Sequence, residues 1–157
     1  MIADKSFLIN NVLKVSEKAS FSNETLSELR LIRNDQNTKP VIFVGAGTCG
    51  LGAGANATIK KAKEYLANHN IEAEVISVGC IGLCSSEPIM DIKLPGKKRI
   101  SFEQVTGNLV EKILDGVFAD QLPDQPFLGQ YRGQDDQADW QGVNYLDEHR
   151  FFKPQHR

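Results

Sequence analysis

The sequence predicts an α/β (α+β) domain: a mixed four-stranded sheet flanked by helices, with helices before it and an extended tail after it. Three observations predict it. Two apolar, β-type runs at 40–44 and 73–78 bracket a helical pattern, which is the signature of a right-handed parallel βαβ unit. Two further runs, 89–94 and 99–102, bracket the turn residues Pro95, Gly96, Lys97 and Lys98 and read as a hairpin. Beyond residue 120 glutamine, glycine, aspartate and proline dominate, a composition that cannot build a core of its own. The expected organisation is therefore a helical extension (1–39), a compact domain (40–119) and a tail (120–157).

Taken in order, the first residues carry Leu8, Val12, Val15 and Ala19 at helical spacing. Asp4, Asn10, Asn11 and Glu17 interrupt any apolar run, so this is an amphipathic helix and not a secretion signal. A second helix is expected from Asn23, as its cap, through Leu26, Leu29 and Ile32. The run 40–44 is continuously apolar, as in a strand buried on both faces. Ile59, Ala62 and Leu66 mark a helix over 55–69, and 73–78 supplies the second strand. A last helix over 104–114 is expected to bury Val105, Leu109, Val110, Ile113 and Leu114. The resulting order β-α-β-β-β-α is that of a thioredoxin-like domain, and Glu87–Pro88 stands where such folds keep a cis proline. In the tail, Phe127, Tyr131, Trp140, Tyr145, Phe151 and Phe152 lack periodicity. They are expected to dock onto a surface, either a partner's or this domain's own, with Trp140 as an anchor.

Composition excludes several classes. The chain has 157 residues, 41% hydrophobic and 24% charged, with formal net charge −2, ordinary values for one soluble domain. No global basic field of the nucleic-acid-binding kind exists, and Lys97, Lys98 and Arg99 read as a solvated turn. No apolar stretch approaches membrane-spanning length. Three cysteines, an odd number, do not suggest a secreted disulfide scaffold. The reading places the protein in the cytoplasm.

Gly45, Gly47 and Gly50 satisfy G-x-G-x-x-G between a strand and a helix, the dinucleotide-binding context. That reading needs an acidic residue at the end of the second strand, and Val75 to Gly79 contains none. The glycines are expected instead to let backbone amides approach a cluster or an anion.

The chemistry lies in Cys49, Cys80 and Cys84. Each lies in a loop that directly follows a parallel strand, so both loops should leave the same edge of the sheet. Soft thiolates suit iron–sulfur clusters, zinc or copper. Zinc favours C-x2-C knuckles, and the dithiol of thioredoxin-type oxidoreductases is also C-x2-C; here the pair is C-x3-C. His69, near a helix C-terminus, reads as a capping residue, and His149 and His156 lie in the tail without nearby ligand types. Asp91 reads as a solvent-facing strand residue.

VGAGTCGLGAGA together with GCIGLCSSEPIMDIKLPGKKRIS resembles the N-terminal thioredoxin-like [2Fe–2S] ferredoxin domain of the flavin/NADH-binding subunit of complex-I-type diaphorases. Such subunits occur in NADH dehydrogenases, bifurcating hydrogenases and NAD-linked formate dehydrogenases. WQGVNYLDEHRFFKPQHR resembles the lead-in to the flavin domain of those subunits. The resemblance covers roughly 40–157 and implies a [2Fe–2S] cluster on four cysteines, two from each loop. Cys80 and Cys84 match the second pair. In the first loop Gly45 and Gly50 stand at the two ligand places, and Cys49 is shifted by one residue. A non-cysteine fourth ligand would then come from Ser85, Ser86, Asp91 or a partner.

The resemblance implies an electron-transfer module of an NAD(H)- and flavin-linked oxidoreductase, partnered by the flavin/NADH-binding subunit and other iron–sulfur subunits. It does not imply catalysis by this chain alone, which shows no phosphate-cradling loop for NADH. A cluster-less structural or assembly subunit is the alternative. Zinc or a thiol-redox switch on the same cysteines also stays open.

Overall fold

The computed structural model describes residues 21–32, 37–132 and 137–155. The chain divides into two compact units, Met1–Asn37 and Thr38–Arg157. The helix expected over the first residues lies outside the described ones. In the first unit, α1 spans Asn23–Ile32. Its cap is Ser22 and not Asn23: the Ser22 hydroxyl accepts the Thr25 amide at 3.1 Å, as an N-cap does.

The second unit is built on five strands: β1 (Val41–Gly45), β2 (Glu74–Val78), β3 (Met90–Lys93), β4 (Ile100–Phe102) and β5 (Phe127–Gln130). Their spatial order is β2-β1-β3-β4-β5. β1 pairs in parallel with β2, Val41 opposite Glu74 and Gly45 opposite Val78. The remaining neighbours are antiparallel, with Ile42 opposite Ile92, Ile92 opposite Ile100 and Ile100 opposite Gln130. The crossover from β1 to β2 runs through a short helix α2 (Thr48–Gly52) and then α3 (Ala55–Asn68). The sequence had suggested only the longer of these. The last helix, α4, spans Val110–Phe118, later than the expected 104–114. Gln104 has a left-handed φ of 52°, which interrupts helical geometry, although Val105 is still buried.

The pleat sorts the side chains into two layers. Ile42, Val44, Met90, Ile92, Ile100 and Phe102 share one face with Ala62, Leu66, Ile113, Leu114 and Val117 of the helices. On the opposite face Phe43, Asp91 and Ser101 lie in register. There the Arg99 guanidinium sits 3.9 Å from the Phe43 ring centroid and 4.7 Å from that of Tyr131. Asp91 is only 4% exposed, which corrects its reading as a solvent-facing residue. Arg99 holds it at 2.5 and 2.9 Å and the Tyr131 hydroxyl donates to it at 3.0 Å. A buried carboxylate needs such a partner. Burial and the Asp91 charge push the Tyr131 phenol well above its ordinary value.

The fifth strand comes from the polar tail, which docks on its own domain. β5 completes the sheet, and Trp140 and Val143 enter the main core. Trp140 is 2% exposed, and its indole N–H donates to the Lys98 carbonyl at 2.7 Å. Gln130 is buried but fully used: its amide nitrogen reaches the Trp140 and Val143 carbonyls, and its oxygen accepts the Trp140 amide. Lys98 pairs with Asp139 at 2.5 Å, over the ring of Tyr145. The tail thus lacks a core of its own and completes another.

Trp140→Ala removes the largest tail side chain from the core and leaves the Lys98 carbonyl unpaired. It should lower stability by ~3–5 kcal/mol, read as a drop in the urea midpoint with an unchanged slope.

Candidate metal centre

Both cysteine loops leave the sheet where β1 and β2 end side by side. The Ala46 amide donates to the Val78 carbonyl at 2.8 Å and the Gly45 amide to the Ile89 carbonyl at 2.9 Å, so the first loop is pinned between its two neighbours. Cys49 sits in the first turn of α2. Cys80 and Cys84 bracket the second loop, which turns at Gly82 with φ 91°, a conformation glycine adopts without penalty. The loops touch: a Cβ at Gly47 would lie 3.1 Å from the Cys80 amide nitrogen.

The three sulfurs converge. Cys49, Cys80 and Cys84 all lie within 4.8 Å of one another, with Cys49 Sγ to Cys84 Sγ at 3.0 Å and Cys80 Sγ to Cys84 Sγ at 3.7 Å. All three are exposed free thiols; 3.0 Å is well beyond the ~2.05 Å of a disulfide. The Gly82 amide donates to Cys80 Sγ at 3.3 Å. That hydrogen bond draws the Cys80 thiol pKa down, but the contact with Cys84, desolvation and the charges of Cys84 and Glu87 outweigh it and leave it raised. The contact with Cys49 pushes the Cys84 thiol up as well. Crowded thiols resist ionising together, and a bound cation removes that repulsion.

Glu87 was missed by sequence reasoning. It follows a 3₁₀ turn at Cys84–Ser86 and precedes Pro88 through a cis bond, as expected for that position. Its side chain runs back to the first loop. A Cβ at Gly45 would lie 2.5 Å from Glu87 Oε2 and 2.8 Å from Oε1, and one at Gly50 would lie 3.2 Å from Oε2. Gly50 also abuts the Gly45 carbonyl, where a Cβ would approach to 2.1 Å. The signal available in sequence was a glycine in the first loop together with a glutamate before the proline.

The fourth-ligand candidates read from sequence lie as follows. Ser86 is buried and its hydroxyl donates to Glu103 Oε2 at 2.5 Å. Asp91 is engaged by Arg99 and Tyr131. Ser85 is exposed. His69 reaches the Tyr65 carbonyl through Nδ1 at 2.9 Å and stacks on the Tyr65 ring at 4.1 Å, the local role its place at a helix end suggested. A hollow of about 290 Å³ beside it is lined by Lys61, Tyr65, His69 and Glu111 and contains no cysteine.

The end of the tail backs the second loop. Phe151 Cζ lies 3.6 Å from where a Gly82 Cβ would stand, and Leu83 and Phe152 pack against a small cluster of Ile89, Leu128 and Leu146. Leu51 (46% exposed) and Ile81 (40% exposed) leave the surface beside the cysteines apolar.

A mixed sheet whose β1–β2 crossover and cis-proline loop meet at one edge is the thioredoxin-like fold. Thioredoxin-like [2Fe–2S] ferredoxins are among the solved structures that it resembles. The Aquifex aeolicus protein of that description superposes with TM-score 0.51 at 12% identity, over 61% of this chain and 96% of that one. At that identity the likeness is one of fold. In sequence, the NADP-reducing hydrogenase subunit HndB of Solidesulfovibrio fructosivorans is 28% identical over 80 residues, 50% of this chain and 64% of HndB. The chain thus spans less than two thirds of that relative's length. No protein-family profile matches it. The resemblance drawn from the two cysteine loops is borne out by both the fold and this relative.

Gly45→Ala should cost ~1–3 kcal/mol of stability, the scale of overpacking, because its Cβ meets the Glu87 carboxylate. Adding Glu87→Ala should recover most of that loss for Gly45→Ala but not for Gly50→Ala, whose clash is with backbone. Urea denaturation of the full mutant cycle reads the coupling directly.

Proposed function

We propose that this chain is an electron-transfer module of an NAD(H)- and flavin-linked oxidoreductase complex, holding a [2Fe–2S] cluster on Cys49, Cys80 and Cys84. The observation that carries the reading is the convergence of three exposed thiols, from two loops of a thioredoxin-like fold, within 4.8 Å of one another. The donor set fits the group: thiolates are the ligands iron–sulfur clusters take, and the glycines at 45, 47 and 50 let the loops that carry them approach each other closely. The cluster, when bound, would supply single-electron redox chemistry.

The protein's own contribution is orientation and tuning. The Gly82 amide, directed at Cys80 Sγ, is the kind of hydrogen bond to sulfur that sets cluster potential. The pinned ends of β1 and β2 hold the loops in place, and the apolar rim of Leu51 and Ile81 suits a partner docking close to the sulfurs. HndB is named as a subunit of an NADP-reducing hydrogenase, which supports membership of a multi-subunit complex. The partners would be a flavin/NADH-binding subunit and other iron–sulfur subunits, and the location cytoplasmic. Among the described residues no helix is long and apolar enough to cross a membrane.

A second reading has a specific observation in its favour. The 3.0 Å approach of Cys49 to Cys84 would also suit a thiol pair that closes reversibly to a disulfide.

Anaerobic reconstitution decides between them. The full chain should take up iron and sulfide in equal amounts and turn reddish-brown, and Cys84→Ser should abolish retention of both. A colourless chain without iron, whose Cys49 and Cys84 form a reversible disulfide, would establish the second reading instead.

A further inference from the structure

We propose that the fourth protein donor to this centre is the carboxylate of Glu87, standing in for the cysteine that Gly45 replaces. The inference rests on the cluster-binding reading above and gives its incomplete thiolate set a partner from this chain.

Glu87 is 7% exposed. Its Oε2 accepts the Ile89 amide at 2.8 Å, but Oε1 is buried with no hydrogen-bond partner among the described residues. A buried carboxylate oxygen without a donor is costly, and a cation at that oxygen would offset the cost. Asp91 also has one unpaired buried oxygen, yet Arg99 already neutralises it at 2.5 Å. Arg99 lines the same small cavity as Glu87, but its guanidinium is bonded to Asp91, and no described ion pair includes Glu87.

Position supports the assignment. Gly45 is not in the left-handed region, so its backbone does not demand glycine. What excludes a side chain is the Glu87 carboxylate, 2.5 Å from the place its Cβ would take. The space beside Gly45 in the first loop is thus filled by a carboxylate from the second. Glu87 lies three residues after Cys84, and its amide is bonded to the Cys84 carbonyl at 3.4 Å. The compact triad within 4.8 Å consists of the cysteines alone. Glu87 would therefore complete the donor set from outside that triad. Mixed ligation is compatible with the cluster type, since histidines replace two cysteines on one iron of Rieske centres.

The test is Mössbauer spectroscopy of the full chain reconstituted anaerobically with ⁵⁷Fe and sulfide, alone and as Glu87→Gln and Gly45→Cys/Glu87→Ala. The wild type should show two resolved ferric sites of equal area, one with sulfur donors only and one with mixed sulfur and oxygen donors. Glu87→Gln should weaken iron retention by more than the ~10–100-fold that loss of an outer-shell partner costs. Gly45→Cys/Glu87→Ala should keep its iron and make both sites all-sulfur. Two equivalent all-sulfur sites in the wild type would overturn the assignment without any variant having to fold. So would an unchanged spectrum and iron content in Glu87→Gln. Either result with iron and sulfide present leaves the cluster reading standing. A wild type that binds neither overturns both.

Discussion

The close approach of two glycine-bearing loops at one end of a parallel strand pair is the constraint from which the site follows. β1 lies between β2 and β3, so its last amides are claimed from both sides, by Val78 and Ile89. The chain must then turn sharply over the sheet edge. Gly50 folds against the Gly45 carbonyl, a contact that a Cβ would forbid, and Gly47 against Cys80, one that a Cβ would crowd. Only with the loops this close can a sulfur at position 49 meet two others more than thirty residues further along the chain.

Around that edge the molecule spends its polar side chains on fixing geometry. Arg99 stacks between Phe43 and Tyr131 while neutralising Asp91, which anchors β3 and β4 on the face away from the helices. The segment before the cis proline is tied to the chain beyond β4: Gln104 and Val105 donate their amides to the Ser86 and Pro88 carbonyls. These bonds hold the second cysteine loop from below, and Phe151, from the far end of the chain, packs beside it. The sulfurs themselves stay exposed.

The tail shows how a segment with no core can still be ordered. Its aromatic residues are too few and too irregularly spaced to build a core together. Supplied with the open edge of β4 and the Lys98 carbonyl, they become the last strand and the last core residues. Edge strands invite pairing, and here the chain's own tail covers the edge. The buried Gln130 pairs with the Trp140 and Val143 backbone groups that this docking takes out of water.

Much of this was legible in the residues. Apolar runs of strand length, helical spacing and turn chemistry between Leu94 and Arg99 placed four strands and the crossover helix, because those signals are local and periodic. The cysteines' places after two parallel strands already set their loops at one edge. What only the tertiary structure decided were the contacts between residues far apart in sequence. These are the docking of the tail as a fifth strand, the burial of Asp91 beneath Arg99, and the Glu87 carboxylate filling the space beside Gly45. None has a local pattern. Whether a polar residue faces water or a partner depends on what the rest of the chain brings to it, and a glycine that makes room for a distant side chain looks, in sequence, like any other glycine in a loop.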